Sequence, residues 1–444
     1  MQVGEMSELN VSRYLLVGGA ALAMLVGMLV LIESSQLLVL GCTAALFVVV
    51  FAYKLDYLHP AVTYLVPWLT ILYFSTVPIS RYAHSLDLAT AQVLLTAMLA
   101  WLLSTIGSPA APLLHHEPPG EAGREQPRLE VVDGFGMIVL FAFVSLYVLA
   151  VANAAVSGYV PLLSLIQGGN SNYIDFGIPS VYGAFLAYAN ALGCLVFYAY
   201  LCGRRRIYLL LFLSVILLHL AFVTRQNLIT LLAEVFIIRC LTVGRTSRRA
   251  IVIIVIAGLV GFSALGDLRS GDIKTVIGVE PDYMWVPTSL IWLYAYSYFN
   301  VLNLNNMVVE SGAPFYDGGM WDTLLPTVLR PDVDHGDYLE ISSMTVSSYI
   351  YPMYLDVGVV GVVIYTVLFG LVTTVAYRRA LRQPGFVEVT TYACLFVCAL
   401  LSFFSNFWLY LPMIFQLFFF WVFHILLFKP AIGRSWASRM PVSA

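Results

Sequence analysis

The strongest constraint on the fold of this chain is a run of about 20 apolar residues that recurs along it, each run being followed by a short polar or Pro/Gly-rich stretch. A helix of about 20 residues crosses about 30 Å of hydrocarbon. It also forms its backbone hydrogen bonds within itself, which is necessary because lipid chains offer no hydrogen-bond partners. Of the 444 residues, 60% are hydrophobic and 11% are charged, and a soluble domain has too little interior for that composition. The sequence therefore predicts an all-α polytopic membrane protein.

Twelve apolar runs have the required length, and no internal repeat divides them, so we expect a single integral membrane domain over residues 1–444. The predicted spans are residues 14–32, 36–53, 59–79, 86–106, 131–156, 180–202, 207–224, 226–243, 250–266, 353–377, 387–405 and 408–428. The first run lacks a small-residue cleavage site and is followed at once by another span. It is therefore expected to remain in the mature protein.

Lysine and arginine predict the orientation, because loops rich in these residues stay in the cytoplasm. With both termini in the cytoplasm, only five of the 22 basic residues fall on the opposite side. These five are Arg81, Arg225, Arg269, Lys274 and Arg330. If the number of spans before them differed by one, the triplet Arg204–Arg206 would lie outside the cytoplasm. We therefore expect an inner-membrane protein with cytoplasmic termini.

Three stretches between the spans are long enough to have their own organisation. Residues 107–130, with five prolines among Gly, Glu and Arg, predict a flexible cytoplasmic loop. Residues 157–180 predict a periplasmic loop with a short re-entrant or surface helix. Residues 267–352, with eleven acidic and three basic residues, form the largest periplasmic segment. Inside it, Trp285–Val309 predicts an amphipathic interfacial helix, because a thirteenth span would invert the C-terminal half.

The arginines outside the membrane are candidate anion-binding residues because they are so few. Guanidinium groups of Arg225, Arg269 and Arg330 could each hold two phosphate oxygens. In the alternative interpretation Arg225 snorkels to the interface, and the other two neutralise acidic neighbours. His335, the sole histidine of the large segment, could act as a base near neutral pH, or could be a solvated loop residue.

Within the membrane, Glu234 lies about 13 Å deeper than Arg225 on the same predicted helix. We expect it to be the structural partner of another polar group.

Metal and cofactor chemistry has little support in the sequence. Asp332 and Asp334 form a DxD pattern, which holds a cation in some sugar-nucleotide enzymes but occurs by chance in any acidic segment. All six cysteines lie inside predicted spans, so none is placed for an extracytoplasmic disulfide or a metal cage. We expect no cofactor. The chain contains no Walker A, GxSxG or HExxH pattern, which removes support for ATP-driven, hydrolase and metalloprotease functions. A net charge of −3 gives no reason to expect nucleic acid as a partner.

Six stretches carry a resemblance to a known family. They are SGYVPLLSLI at 157–166, FVTRQN at 222–227, GDLRSG at 266–271, LYAYSYFNVLNL at 293–304, LLPTVLRPD at 324–332 and YLDVGVVG at 354–361. In order and spacing, over residues 131–380, the chain resembles the Wzy-type oligosaccharide repeat-unit polymerases, also called O-antigen polymerases. The resemblance implies a metal-independent membrane glycosyltransferase with a GT-C-like polymerase/ligase architecture.

The resemblance also implies substrates and partners. The growing glycan on undecaprenyl diphosphate is transferred to a new lipid-linked repeat unit, so a lipid-linked glycan is both donor and acceptor. Membrane lipids surround the enzyme, and a chain-length regulator protein is a further partner. The large segment 267–352 is expected to cover the active site. The candidate catalytic residues are Arg225, Arg269, Arg330 and His335. The candidate substrate-binding residues are Asn227, Tyr298, Asn300, Asp272 and Asp334.

Two alternative functions stay open. The O-antigen ligases carry His and a polar residue followed after nine positions by GxxG, whereas Ser347, Ser348, Gly358 and Gly361 keep that spacing with Ser in place of His. This difference argues against a ligase and leaves the base unidentified. A transporter or flippase of lipid-linked glycans would place its site near the bilayer midplane. This chain instead concentrates polar and aromatic residues in one external segment.

Overall fold

The computed structural model describes residues 16–20, 22–23, 35–52, 56–106, 131–167, 176–244, 256, 258–261, 263–264, 266–267, 271–326, 329–330, 338–342 and 344–429. These residues are mostly helical, and their only β-structure is two isolated bridges, Ser80 to Val279 and Val131 to Phe428. The predicted all-α class is confirmed for this part of the chain. The predicted loop 107–130 lies outside the described residues.

Thirteen α-helices are complete enough to be numbered in chain order. They are α1 (Ser35–Ala52), α2 (Pro60–Phe74), α3 (Leu88–Thr105), α4 (Phe135–Ser157), α5 (Pro161–Ile166), α6 (Val181–Gly203), α7 (Arg206–Ala221), α8 (Arg225–Val243), α9 (Ile273–Val276), α10 (Thr288–Glu310), α11 (Ile350–Arg382), α12 (Phe386–Leu400) and α13 (Leu411–Leu427). Three 3₁₀ turns lie at Pro281–Tyr283, Gly319–Leu324 and Phe407–Leu409.

Five of the described helices, α3, α4, α6, α8 and α11, are long and apolar enough to cross a membrane. Four more, α2, α7, α12 and α13, are apolar helices of 15 to 17 residues that coincide with predicted spans. Helix α1 coincides with the predicted span 36–53. The predicted spans 14–32 and 250–266 are described only in fragments, which are helical. The total of twelve membrane crossings stays a prediction.

The surface of α4 is typical of a helix that faces lipid. Met137 and Phe141, one turn apart, are 76% and 73% exposed, and Val148 and Val151 are exposed on the same side. The opposite side, with Phe143 and Leu146 among others, is buried against the bundle. A continuous apolar face of this size is unfavourable in water and matches a hydrocarbon solvent. The chain is therefore a membrane protein with an inside and a lipid-facing side.

The centre of the bundle contains a polar contact that joins three helices. Helix α6 packs against α4, α7, α8 and α13. Within this group the carboxylate of Glu234, which is fully buried, accepts hydrogen bonds from Gln416 Nε2 at 2.8 and 2.7 Å and from Cys194 Sγ at 3.2 Å. The expectation that Glu234 is a structural partner is confirmed, since α8, α13 and α6 meet at its side chain.

The predicted interfacial helix differs from expectation in its surroundings. A helix is present as α10, but Tyr294, Tyr298, Asn300, Asn303 and Asn305 are buried. The polar residues that make this helix amphipathic are therefore buried inside the protein. The reason is visible at Asn303, whose amide donates to Met344 O and Val346 O at 2.8 Å and whose Oδ1 accepts from Glu340 N at 2.9 Å. The asparagine supplies the hydrogen bonds that irregular backbone needs when it is buried.

Candidate functional site

A cavity of about 450 Å³ lies at the end of the bundle where α6 and α13 begin. Arg330 is the charged residue in its lining. The rest of the lining is mainly aromatic and aliphatic and includes Phe176, Tyr182, Leu325, Pro326, Tyr410, Leu411, Pro412 and Phe415. We call this space the Arg330 cavity. Its walls come from three parts of the sequence that are far apart: residues 176–184, residues 325, 326 and 330, and residues 410–415.

The first wall is held by side chains from the end of α4. Asn153, which is fully buried, accepts a hydrogen bond from Ile178 N at 2.9 Å, and Ser157 Oγ accepts one from Gly177 N at 2.7 Å. Gly177 has φ +86°, and a Cβ there would lie 2.8 Å from Asn153 Oδ1. Only glycine fits both the conformation and the space. Gly177 and Ile178 are thereby fixed where α6 begins.

The second wall is positioned by a break in α11. Gly358, with φ 69° and ψ −157°, interrupts this helix and leaves carbonyl groups without helical partners. Leu355 O and Asp356 O accept hydrogen bonds from Phe315 N and Tyr316 N, both at 2.8 Å, and Asp356 Oδ1 accepts from Gly318 N at 2.9 Å. The segment that leads to the Gly319–Leu324 turn is therefore attached to α11.

The same segment is also attached to the third wall, because the Thr323 hydroxyl donates to Leu409 O just before α13 begins. Pro412, in the first turn of α13, occupies a position where a helix does not need the missing N–H. The turn that carries Leu325 and Pro326 is held between α11 and α13. These attachments place Arg330 beside the first turns of α6 and α13.

Arg330 is exposed, and its Nε donates to Leu325 O at 3.1 Å. In the described part of the chain its two terminal guanidinium nitrogens make no hydrogen bond. They can therefore hold two oxygens of one phosphate group. Helices α6 and α13 both begin at the cavity without a side-chain cap, so the positive ends of their dipoles lie beside it. The arrangement can bind an anionic group that carries an apolar substituent.

Arg225 lies in a different environment. It is 8% exposed, its guanidinium carbon is 5.8 Å from the ring centroid of Trp292, and it does not line the Arg330 cavity. The indole Nε1 of Trp292 donates to Asp267 Oδ1 at 2.8 Å. A Cβ on Gly266 would lie 2.6 Å from the Trp292 ring and 3.0 Å from Arg225 Nη1. Arg225 is thus packed against the Trp292 indole and close to Gly266. A role for Arg225 in diphosphate binding stays a prediction, and the residue lies apart from the Arg330 cavity.

The last turn of α7, just before the connection to α8, contains a histidine that sequence reasoning missed. His219 is buried, its Nδ1 lies 2.8 Å from Thr224 Oγ1, and its Nε2 makes no hydrogen bond within the described residues. Val223 has φ 54°, which strains a β-branched residue. An imidazole in the last turn of an apolar run, six residues before Arg225, was the signal available in the sequence.

Phe222, in the connection between α7 and α8, links this region to the cavity. Its ring centroid lies 5.3 Å from that of Phe176 and 6.4 Å from that of Tyr182, and both of these residues line the Arg330 cavity. Aromatic packing therefore fixes the position of the Arg225 region relative to the cavity.

Four of the predicted substrate-binding residues are described, and none lines the Arg330 cavity. The hydroxyl of Tyr298 donates to His84 O at 2.5 Å, and burial raises the pKa of Tyr298 to about 12. The amide of Asn300 donates to Tyr296 O at 2.5 Å in its own helix. Asp272 caps α9 by accepting from Lys274 N at 3.1 Å. Asn227 is half-buried in the first turn of α8. The contacts of Tyr298, Asn300 and Asp272 support the fold.

Arg269, His335 and Asp334 lie outside the described residues. Among the residues that are described, no group of three or more His, Cys, Asp or Glu side chains could hold a metal ion.

Comparisons of the chain with protein-family models, with curated proteins and with solved structures found no match. A function for it must therefore be argued from its own residues and their geometry.

Proposed function

We propose that this chain is a membrane glycosyltransferase that polymerises undecaprenyl-diphosphate-linked oligosaccharide repeat units into O-antigen or a related surface polysaccharide. The observation that carries the proposal is the Arg330 cavity, where a guanidinium with two available nitrogens lies beside two helix N-termini and an apolar, aromatic lining. A lipid diphosphate has the complementary chemistry, an anionic head on a long hydrocarbon chain. The cavity volume of about 450 Å³ lies within the usual range of about 300–1,000 Å³ for small-molecule sites.

In this proposal Arg330 holds the diphosphate of the donor. The bond between the anomeric carbon and the diphosphate oxygen breaks, and the anomeric carbon bonds to a hydroxyl oxygen of the acceptor repeat unit. The hydroxyl proton passes to a base, for which His335 is the candidate from the sequence, and undecaprenyl diphosphate leaves. Arg330 stabilises the negative charge that develops on the leaving group, which is the step where a fixed cation accelerates the reaction most.

The distribution of charge supports a periplasmic position for the cavity. Arg204, Arg205 and Arg206 follow the end of α6, and Arg379 and Arg382 lie in the last turn of α11. Both helix ends are at the opposite side of the bundle from the Arg330 cavity. Because arginine-rich ends stay in the cytoplasm, we assign that side to the cytoplasm of the inner membrane and the cavity to the periplasm.

Deletion of the gene, followed by gel analysis of surface glycan, tests the proposal. We expect loss of the ladder of long chains while single repeats are kept, and recovery when the gene is returned on a plasmid. Accumulation of long chains that are not attached to their final acceptor would instead indicate a ligase. Loss of single repeats together with the ladder would indicate a transporter of the lipid-linked precursor.

A further inference from the structure

A second cavity, of about 360 Å³, lies between α11 and α12 at the end of the bundle opposite to the Arg330 cavity. Its lining is apolar over most of its length and includes Leu371, Val372, Val375, Val387 and Leu395. Arg379 lines the end nearest the basic side of the molecule. We call this space the Arg379 groove. It plays no part in the function proposed above.

The groove continues an apolar stripe along the outside of α11. Val360, Ile364, Leu368, Val372 and Val375 are all exposed, and they recur every three or four residues, so they share one side of the helix. Arg379 follows four residues after Val375. From Leu368 to Arg379 the helix rises by about 16 Å, which is about half of the 30 Å hydrocarbon thickness. One leaflet of a bilayer therefore matches the stretch from the middle of the stripe to the guanidinium.

The charge at the end of the groove is available to a ligand. The side chain of Arg379 is exposed and makes no ion pair or hydrogen bond in the part of the chain that the structure describes. Glu388 also lines the groove, but its carboxylate lies over Gly385, where a Cβ would collide with Oε2. Glu388 belongs to the first turn of α12, a position favourable for a negative charge. Arg382, one turn beyond, adds to the positive charge of this end.

We propose that the Arg379 groove binds a phospholipid with an anionic headgroup, with one acyl chain along the stripe and the phosphate on Arg379. If the Arg379 guanidinium served only to contact water at the membrane surface, it would not need an apolar groove between two helices beside it. A partner helix would cover the stripe but would leave the charge at its end without a counterpart. An acyl chain with an anionic head satisfies both features, and basic pockets between helices are known to select such lipids.

Native mass spectrometry of the purified full-length protein tests the proposal, with phosphatidylglycerol and phosphatidylcholine of identical acyl chains as probes. We expect the protein to retain phosphatidylglycerol about fivefold more strongly, the effect of one arginine near a lipid headgroup. Arg379→Gln should remove this preference. Arg382→Gln is the matched control, because it removes an exposed arginine of the same helix end that does not line the groove, and it should keep most of the preference.

Glu388→Gln gives a result of opposite sign, since loss of the nearby carboxylate should increase retention of phosphatidylglycerol. A misfolded variant could not produce that increase. Equal retention of the two lipids by the wild-type protein would overturn the proposal. Equal losses in Arg379→Gln and Arg382→Gln would also overturn it, and so would displacement of phosphatidylglycerol by inorganic phosphate, because the acyl chain is part of the proposed contact.

Discussion

Arg330 and Arg225 are both arginines of the side assigned to the periplasm, and the sequence predicts the same role for both, yet their surroundings differ. Arg330 is exposed in a cavity and, among the described residues, has one hydrogen bond, to Leu325 O. Arg225 is 8% exposed and lies against the ring of Trp292 and the backbone of Gly266. Because basic residues are rare on this side, each arginine there is a candidate for a functional role. The residues around it then indicate whether it contacts substrate or packs within the protein. Substitutions at the two arginines and around them can test this difference.

Arg330→Ala should reduce polymerisation by about a hundredfold to a thousandfold, the usual result of removing one charged donor from a transition state. Folding should not change, because the side chain is exposed. Arg330→Lys should recover only part of the rate, since an ammonium group lacks the planar pair of donors. Glycan chain length would be measured in cells lacking the native gene, at equal amounts of protein in the membrane.

The matched control is Arg81→Ala, which removes another exposed arginine of the same side from a position that does not line the cavity. We expect chains of normal length from this variant. If Arg330→Ala also gave normal chains at normal abundance, the Arg330 cavity would not be the donor site.

Gly183→Phe should fill part of the cavity at the first turn of α6. A Cβ at this position would lie 3.5 Å from Pro412 Cγ, which is ordinary contact, so Gly183→Ala should be tolerated and serves as the control. The benzyl side chain should raise the KM for the lipid-linked donor by at least about tenfold to a hundredfold, because a mismatch of a single methylene in an apolar pocket already has an effect of that size. Equal KM values for the Phe and Ala variants would show that the donor does not enter this space.

Arg225→Ala should act mainly on stability, because it leaves a cavity beneath Trp292. We expect the free energy of unfolding to fall by about 1–3 kcal/mol, which thermal unfolding in detergent would measure. Arg225→Met keeps the apolar stem and should lose less. Activity per folded molecule should stay well above that of Arg330→Ala. A stable Arg225→Met protein as inactive as Arg330→Ala would mean that both regions belong to one site.

Asp272→Ala should have the smallest effect. The sequence predicts substrate contact for this residue, whereas the structure has it capping α9. We therefore expect normal glycan chains and a loss of about 0.5–2 kcal/mol in the free energy of unfolding. Asp272→Asn, which can still accept a hydrogen bond from Lys274 N, should be close to wild type. Loss of activity in Asp272→Ala without a change in unfolding would restore the substrate role.

The helices could be predicted because a membrane span has a required length and composition. The predicted span 180–202 and the observed helix Val181–Gly203 show how closely that rule applies. The break at Gly358 could not be predicted, because glycine is common inside membrane helices and only the docking of Phe315 and Tyr316 reveals its use. The burial of the α10 asparagines could not be predicted either. Helical periodicity shows that polar residues share one side of a helix, but it does not show whether that side contacts water or buried backbone.

The candidate site was predicted in part. Arg330 was found from the sequence because charge is rare on its side of the membrane. The rest of the cavity was not, because Phe176, Tyr182, Leu325 and Pro412 are ordinary apolar residues whose convergence depends on tertiary packing. Tyr298 and Asn300 are substrate-binding candidates from the sequence, and in the structure both donate hydrogen bonds to backbone carbonyl groups of the protein. Arg269, His335 and Asp334 stay predictions.

The central claim is that the lipid-linked donor occupies the Arg330 cavity, and site-specific photocrosslinking tests it most directly. A photoreactive amino acid would replace Leu325, which lines the cavity, or Val309, which is exposed at the end of α10 and does not line it. In membranes supplied with radiolabelled undecaprenyl-diphosphate-linked glycan, we expect label on the Leu325 variant, little on the Val309 variant, and loss of the label when Arg330→Ala is added. A Leu325 variant that polymerises normally but takes up no more label than the Val309 variant would contradict the account.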